Sequence, residues 1–520
     1  MKPFRIFIFL LSVLLLLVLL ALFFPREGIS LGGDHRLSFV SLPELNGRDT
    51  TGISSVNVEK LLSASTVTED PESEPEPKQE PEPKQEPEPK QATELKQAPV
   101  PKQAPVPKQA PQPEREPKKE KSTPKVIPAN TDSLKLSVHR IQLTDEGASL
   151  LQSWFRNLEG MSTGNNRNIR ILHFGDSQIE NDRMTALIRY RMQRQFGGTG
   201  IGLVQAVPLY SGSLSYQQEE HGDWLRYTYF GRRDSSVAHK SYGIMGAFAS
   251  APIPANDRWP SLYYRFNTSR RGGQVQRIRL FLHSYVDSAT VAFCVEDRYC
   301  DTISGIPDGF SVVNFFHVED MNSVRISFNL PEGGRIYGIS FESEDGLLMD
   351  NIAMRGGSGL IFTSMNQEVQ QEMLENLSPG LILLQYGGNV VPYMHPGYYR
   401  RVFKRQLQFF KEMCPGTPVI VIGPSDMSVR VDGHFDTYPG LEAIRDALRD
   451  AAMESGCGFW DLYEAMGGYN SMPSFVQAVP SLASADYIHF NNLGINLVAE
   501  MFYNALMVEF DDYESNRSGR

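Results

Sequence analysis

The chain is 520 residues long with a formal net charge of −11. That balance excludes general nucleic-acid binding, which needs a basic surface to displace counterions from phosphate. At roughly 150 residues per domain the length allows three domains. Residues 1–130 lack globular texture, so two is the better count. The four cysteines, Cys294, Cys300, Cys414 and Cys457, form no CxxC or Cys/His cluster, so neither a metal site nor a cofactor is expected. They read either as free thiols or as two disulfides, Cys294–Cys300 and Cys414–Cys457, in an oxidising compartment.

Residues 1–25 read as a signal anchor. Ile6 to Phe24 is an apolar run of 19 residues after Lys2 and Arg5. At 1.5 Å per residue it spans roughly 28 Å, close to a bilayer core. A cleaved signal peptide should end in a small-x-small site, but the run ends in Leu22-Phe23-Phe24-Pro25. The basic residues would hold the amino end in the cytoplasm and leave the remainder outside a single-pass bacterial inner membrane, in the periplasm or at the cell exterior.

Residues 26–130 read as a disordered tether. Glu-Pro-Glu-Pro-Lys-Gln occurs three times from Glu74, followed by Ala-Thr-Glu-Leu-Lys-Gln and two copies of Ala-Pro-Val-Pro-Lys-Gln. Such a segment has almost no apolar surface to offset the entropy of ordering, and its alternate prolines favour extended polyproline II. About 48 residues at ~3.1 Å each would reach on the order of 150 Å. A docking segment for a proline-binding domain is the alternative.

Order resumes near Leu134. Asp145 to Met161 carries Leu150, Leu151, Trp154, Phe155 and Leu158 at helical spacing. Ile169 to Phe174 reads as a strand, Gly175-Asp176-Ser177-Gln178 as a tight turn, and Glu180 to Phe196 as a helix. A serine hydroxyl is a weak nucleophile until a base takes its proton. At a helix start, backbone N–H groups could hold the oxyanion formed by its attack on an ester. The alternative is that Ser177 only caps the helix.

Residues 204–349 have a different texture. Gln276–Ser284, Thr290–Glu296, Ser311–Val318, Ser323–Asn329 and Arg335–Glu342 read as short strands of an inserted all-β sandwich. Trp224, Tyr227, Tyr229, Trp259, Tyr263 and Tyr264 could stack on sugar rings there, or simply fill a core.

Downstream, Leu381 to Tyr386 reads as a buried strand ending in Gly387-Gly388-Asn389, which could place an amide in a cleft or form a turn. Ile420–Pro424 and Gly458–Leu462 read as further core strands. Asp486-Tyr487-Ile488-His489 precedes an apolar helix from about Leu493 to Met507. That offset lets a carboxylate orient an imidazole, although such a pair is more often a cap and a surface histidine. All three motifs fall at the ends of predicted strands. The alternation of strands and helices implies an α/β fold with a parallel sheet covered on both faces, which binds ligands at the strands' carboxyl ends.

Gly-Asp-Ser, Gly-x-Asn and Asp-x-x-His in this order resemble the SGNH/GDSL hydrolases, over roughly 165–203 and 350–512. The resemblance implies a flavodoxin-like three-layer domain in two parts, 131–203 and 350–512, followed by a tail, 513–520. It implies Ser177 as nucleophile, His489 as base and Asp486 as its orienting carboxylate. Ser177, Gly356 and Asn389 would form the oxyanion hole, with Gly357 as a rival for the glycine. Gln178 replaces the leucine of the GDSL name, and Val390 replaces an aspartate that often follows the asparagine. Some peptidoglycan O-acetylesterases of this family carry a similar inserted sandwich. The expected partner is therefore an acylated envelope glycan such as peptidoglycan, and the expected activity removal of O-acyl groups, foremost O-acetyl. An O-acetyltransferase using the same residues and a non-catalytic wall-binding scaffold are the alternatives.

Overall fold

The computed structural model describes residues 29–30, 36–37 and 137–518, apart from 163–167, 210–212, 232, 253–257, 268–273 and 332. The chain divides into two units, residues 1–118 and 119–520. In the first, the described residues form one antiparallel pair, Ile29–Ser30 with Arg36–Leu37, so those four are strand rather than linker. The expected anchor at 1–25, and the repeats of the tether, lie outside the described residues.

The second unit is built on a five-stranded parallel sheet. Its strands are β1 (Asn168–Gly175), β2 (Gly346–Ala353), β3 (Leu381–Gln385), β4 (Val419–Ile422) and β5 (Gly458–Trp460), in spatial order 2-1-3-4-5. That is the flavodoxin-like doubly wound order. Because both faces are covered, the strands are apolar nearly throughout. Ile169, Ile171, Leu381, Leu383, Ile420 and Ile422 face one core. There they meet α1 (Asp145–Ser162), α2 (Arg183–Phe196) and α6 (Asn492–Ser518). Leu172, Phe174, Ile382, Leu384, Val419 and Val421 face the other core. It is closed by α3 (Gln367–Leu377), α4 (Pro396–Met413) and α5 (Leu441–Glu454). The 26-residue apolar stretch Asn492–Arg517 is long enough to cross a membrane, but it is mostly buried here as a core helix.

Between β1 and β2 the chain makes two antiparallel sheets. One has five strands, in the order Tyr299–Ile306, Ala289–Val295, Ser323–Asn329, Ser261–Phe266, Tyr216–His221. The other runs Gly309–Phe316, Arg277–Ser284, Arg335–Glu342, Ala247–Ser250, Leu225–Thr228, and Gly200–Val204 also pairs with Arg335–Glu342. Alternate residues of the two sheets, among them Leu262, Tyr264, Leu280, Leu282, Phe293, Ile326 and Phe341, form one shared core. The sandwich therefore begins at Gly200 rather than 204. It ends at Glu342 rather than 349, because Gly346–Met349 pair in parallel with β1 as part of β2. The chain's exit and return cross at Gly198 and Gly346. A Cβ on Gly346 would lie 2.1 Å from the Gly198 Cα, and both glycines have positive φ.

The aromatic residues considered for sugar stacking are largely structural. Tyr264 is fully buried, Tyr227 stacks on Phe248, and Trp224 packs edge-on against Phe328. Of the cysteines, Cys294 and Cys300 are bonded across an antiparallel strand pair, whereas Cys414 and Cys457 are free and buried. The second expected disulfide is not formed. Burial pushes both thiols up to about 12, so they stay protonated and act as small apolar groups.

Candidate active site

β1 delivers its carboxyl end to Gly175, where a Cβ would lie 2.9 Å from Ile179 Cδ1 and 3.2 Å from the Gln385 carbonyl. Glycine fits this close turn, and a larger residue would have to push Ile179 and the end of β3 aside. Asp176 stabilises the turn by accepting the Gln178 N–H at 3.0 Å, an Asx-turn. Ser177 is half-buried at its apex. It neither caps nor begins a helix. A short 3-10 segment, Glu180–Asp182, intervenes, and α2 starts at Arg183. The expected helix-start donors are therefore absent, and amides of the turn itself must serve.

The Ser177 Oγ lies 3.0 Å from His489 Nε2, and His489 Nδ1 lies 2.7 Å from Asp486 Oδ2. Asp486 Oδ1 accepts the backbone N–H groups of Ile488 at 2.9 Å and His489 at 3.0 Å. Burial alone would raise this carboxyl. The hydrogen bond from His489 and the two backbone donors outweigh that and hold it down at about 2. Asp486 and His489 do not follow a strand as the sequence suggested. They sit in the loop before α6, where the Asn491 side chain accepts the N–H groups of Leu493 and Gly494. Tyr487 adopts positive φ, its ring stacks 3.6 Å from that of Phe435, and its carbonyl accepts the Ser428 N–H. The hairpin Ser428–Val431/His434–Thr437 thus braces the histidine loop.

Asn389 follows β3, and its Nδ2 donates to Asp176 Oδ2 at 2.9 Å and to the Gly357 carbonyl at 3.1 Å. Both of its amide hydrogens are engaged in this state. The Gly357 N–H donates to the Met354 carbonyl at 2.7 Å, and Gly357 is buried. Gly356 is exposed and has positive φ. The amide of Gly357 is thus committed inward.

Three residues that sequence reasoning left out hold the site together. Asp176 accepts from both Gln178 and Asn389 and is buried, which pushes its carboxyl up to about 6. The Gln178 Nε2 donates to the Ile488 carbonyl at 2.8 Å, tying the serine turn to the histidine loop. Arg183 does the same, donating to the carbonyls of Ser177 at 2.6 Å and Phe490 at 3.2 Å. A long polar side chain where the motif has leucine was the visible signal for Gln178.

No family model and no curated protein matches this chain. Among solved structures, one described as a peptidoglycan O-acetylesterase in action superposes with a TM-score of 0.60 at 20% identity. The match covers 71% of this chain and 99% of that one, a share the parallel-sheet part alone cannot supply. This chain shares the fold of that esterase. At that identity the likeness is one of fold. Looser overlaps include a family two carbohydrate esterase from Cellvibrio japonicus, with a TM-score of 0.23 at 8% identity, covering 57% of this chain and 98% of that one. A putative GDSL-like lipase from Parabacteroides merdae gives 0.24 at 16% identity, covering 31% and 73%. Neither overlap is close enough to bear on this chain. The doubly wound sheet puts Ser177 and Asn389 just beyond the carboxyl ends of β1 and β3, where such sheets bind ligands.

Proposed function

We propose that the protein is a serine esterase that removes O-acetyl groups from an envelope glycan such as peptidoglycan. The observation that carries this reading is the relay from Asp486 through His489 to the Ser177 hydroxyl, with separations of 2.7 Å and 3.0 Å. In this scheme His489 takes the Ser177 proton as Oγ attacks the ester carbonyl, and Asp486 stabilises the imidazolium. The N–H groups of Ser177 and Gly356 receive the oxyanion. Asn389 joins them by turning one amide hydrogen away from the Gly357 carbonyl. Collapse of the tetrahedral adduct expels the sugar oxygen, which takes the proton from His489. Water then releases acetate from the acyl-enzyme by the same route. The overlap with a solved peptidoglycan O-acetylesterase supports the choice of substrate. The apolar run and proline-rich repeats would place the enzyme outside a bacterial inner membrane, between membrane and wall.

The test is acetate release from O-acetylated peptidoglycan. Wild-type protein should release acetate, and Ser177→Ala should lower turnover by about 10⁴-fold or more. Equal release by the two proteins would refute the assignment.

A further inference from the structure

Beside the serine turn lies a cleft that the inserted sandwich helps to build. Leu203, Gln205, Pro208 and Arg226 come from the sandwich side, and Glu180 and Arg355 come from the catalytic side. Neither Ser177 nor His489 lines the cleft, but two of its residues are direct neighbours of the site. The Glu180 N–H donates to the Ser177 carbonyl at 3.4 Å, and Arg355 directly precedes Gly356.

Arg226 is the unusual member. It is half-buried, yet among the described residues no carboxylate lies within 4.0 Å of its guanidinium. Its polar contact is a 3.4 Å hydrogen bond to Gln205 Oε1, and it lies over the Phe230 ring at 5.9 Å. Among the described residues the fully buried guanidinium groups are paired with carboxylates, and half-buried Arg183 is held instead by the carbonyls of Ser177 and Phe490. Arg170 binds Asp350 and Glu342, and Arg189 binds Asp182. The carboxylate whose field reaches Arg226, Glu180, is hydrogen-bonded to Arg355 at 3.4 Å. Asp182, the other carboxylate lining the cleft, is taken up by Arg189, so Arg226 and Arg355 share Glu180 and leave a surplus of positive charge. A desolvated, unpaired cation costs stability. The cost is recovered when an anion enters.

We infer that Arg226 receives a carboxylate of the substrate beside the ester being cleaved, so that the enzyme selects acylated glycans bearing acidic groups over neutral ones. This rests on the esterase reading above. It makes the sandwich a wall of the substrate site, acting through one arginine.

The experiment compares two forms of one O-acetylated peptidoglycan disaccharide, with its carboxylate free or converted to the carboxamide. A hydrogen bond to a charged group is worth ~1.5–3 kcal/mol, so wild-type kcat/KM should favour the free acid by roughly 10–100-fold, mainly through KM. Arg226→Gln should bring that ratio close to one, and Arg226→Lys should restore part of it. Each variant is normalised to its own hydrolysis of p-nitrophenyl acetate, which also reports folding. An equal wild-type rate on the two forms, or a preference that survives Arg226→Gln, overturns the acidic subsite while leaving the esterase intact. Absence of Ser177-dependent p-nitrophenyl acetate hydrolysis overturns both.

Discussion

His489 can serve as a base only while its ring is held in one tautomer, and that is the work of Asp486. The carboxylate accepts the ring N–H on one oxygen and two backbone N–H groups on the other, so it cannot swing away. Asp486→Asn should keep the fold and lower kcat by about 10⁴-fold, because the amide favours the wrong tautomer; steady-state kinetics on p-nitrophenyl acetate would measure it. Asp176 poses the opposite electrostatic problem. Burial raises its carboxyl to about 6, above its ordinary value near 4, so ionisation is opposed in the folded state. Its contribution to stability is fully present below about pH 4 and is lost as pH rises through 6. The stability gap between wild type and Asp176→Asn should therefore shift in the variant's favour across that window, by on the order of 2–3 kcal/mol. Urea melts at pH 4 and pH 7.5 would read it, and a gap independent of pH would contradict the assignment.

At the scale of elements, the site depends on how the histidine loop meets α6. Gly494 lies in the first turn of that helix, and a Cβ there would stand 1.8 Å from the Leu482 carbonyl. Alanine is worth up to ~1 kcal/mol over glycine in a helix, but that gain is smaller than the cost of moving two backbones apart. Gly494→Ala should destabilise the protein by ~2–3 kcal/mol and lower kcat, since Leu482 and His489 share one loop. Thermal melts and kinetics together would check this. The sequence showed a helix and an Asp-x-x-His before it. The pair sits in a braced loop and not at a strand end, because β5 is followed by two short helices rather than another strand. Likewise, periodicity located a helix after Ser177 but not its first residue. Asn181 and Asp182 adopt positive φ and delay α2 to Arg183.

For the molecule as a whole, the sandwich is not a loosely hung appendage. Arg170 of β1 donates to both oxygens of Asp350 of β2 at 2.8 Å and also bonds Glu342 at the end of the sandwich. Arg277 bonds the other oxygen of Glu342 at 2.9 Å, and Asp350 accepts the N–H of Leu203. Despite burial, the arginines hold the Glu342 carboxyl below its usual range. Apolar packing runs across the same junction, with Tyr242, Met245, Phe281 and Tyr337 in one cluster with Leu172 and Phe174. Residues 137–518 should then unfold in a single calorimetric transition. Glu342→Gln should leave the buried guanidinium of Arg170 and the half-buried one of Arg277 under-neutralised and cost ~3–5 kcal/mol. Two resolved transitions in the wild type would show that the lock is weak. Local patterns alone determined the three motif blocks, the parallel α/β class and five strands of the insertion, because turn chemistry and hydrophobic period are written within a few neighbouring residues. Only the folded chain decided the pairing of β2 beside β1, the fate of the cysteines, the commitment of the Gly357 amide and the bridge from Gln178 to Ile488. Each of those joins residues far apart in sequence, and such contacts leave no trace in the spacing of either partner.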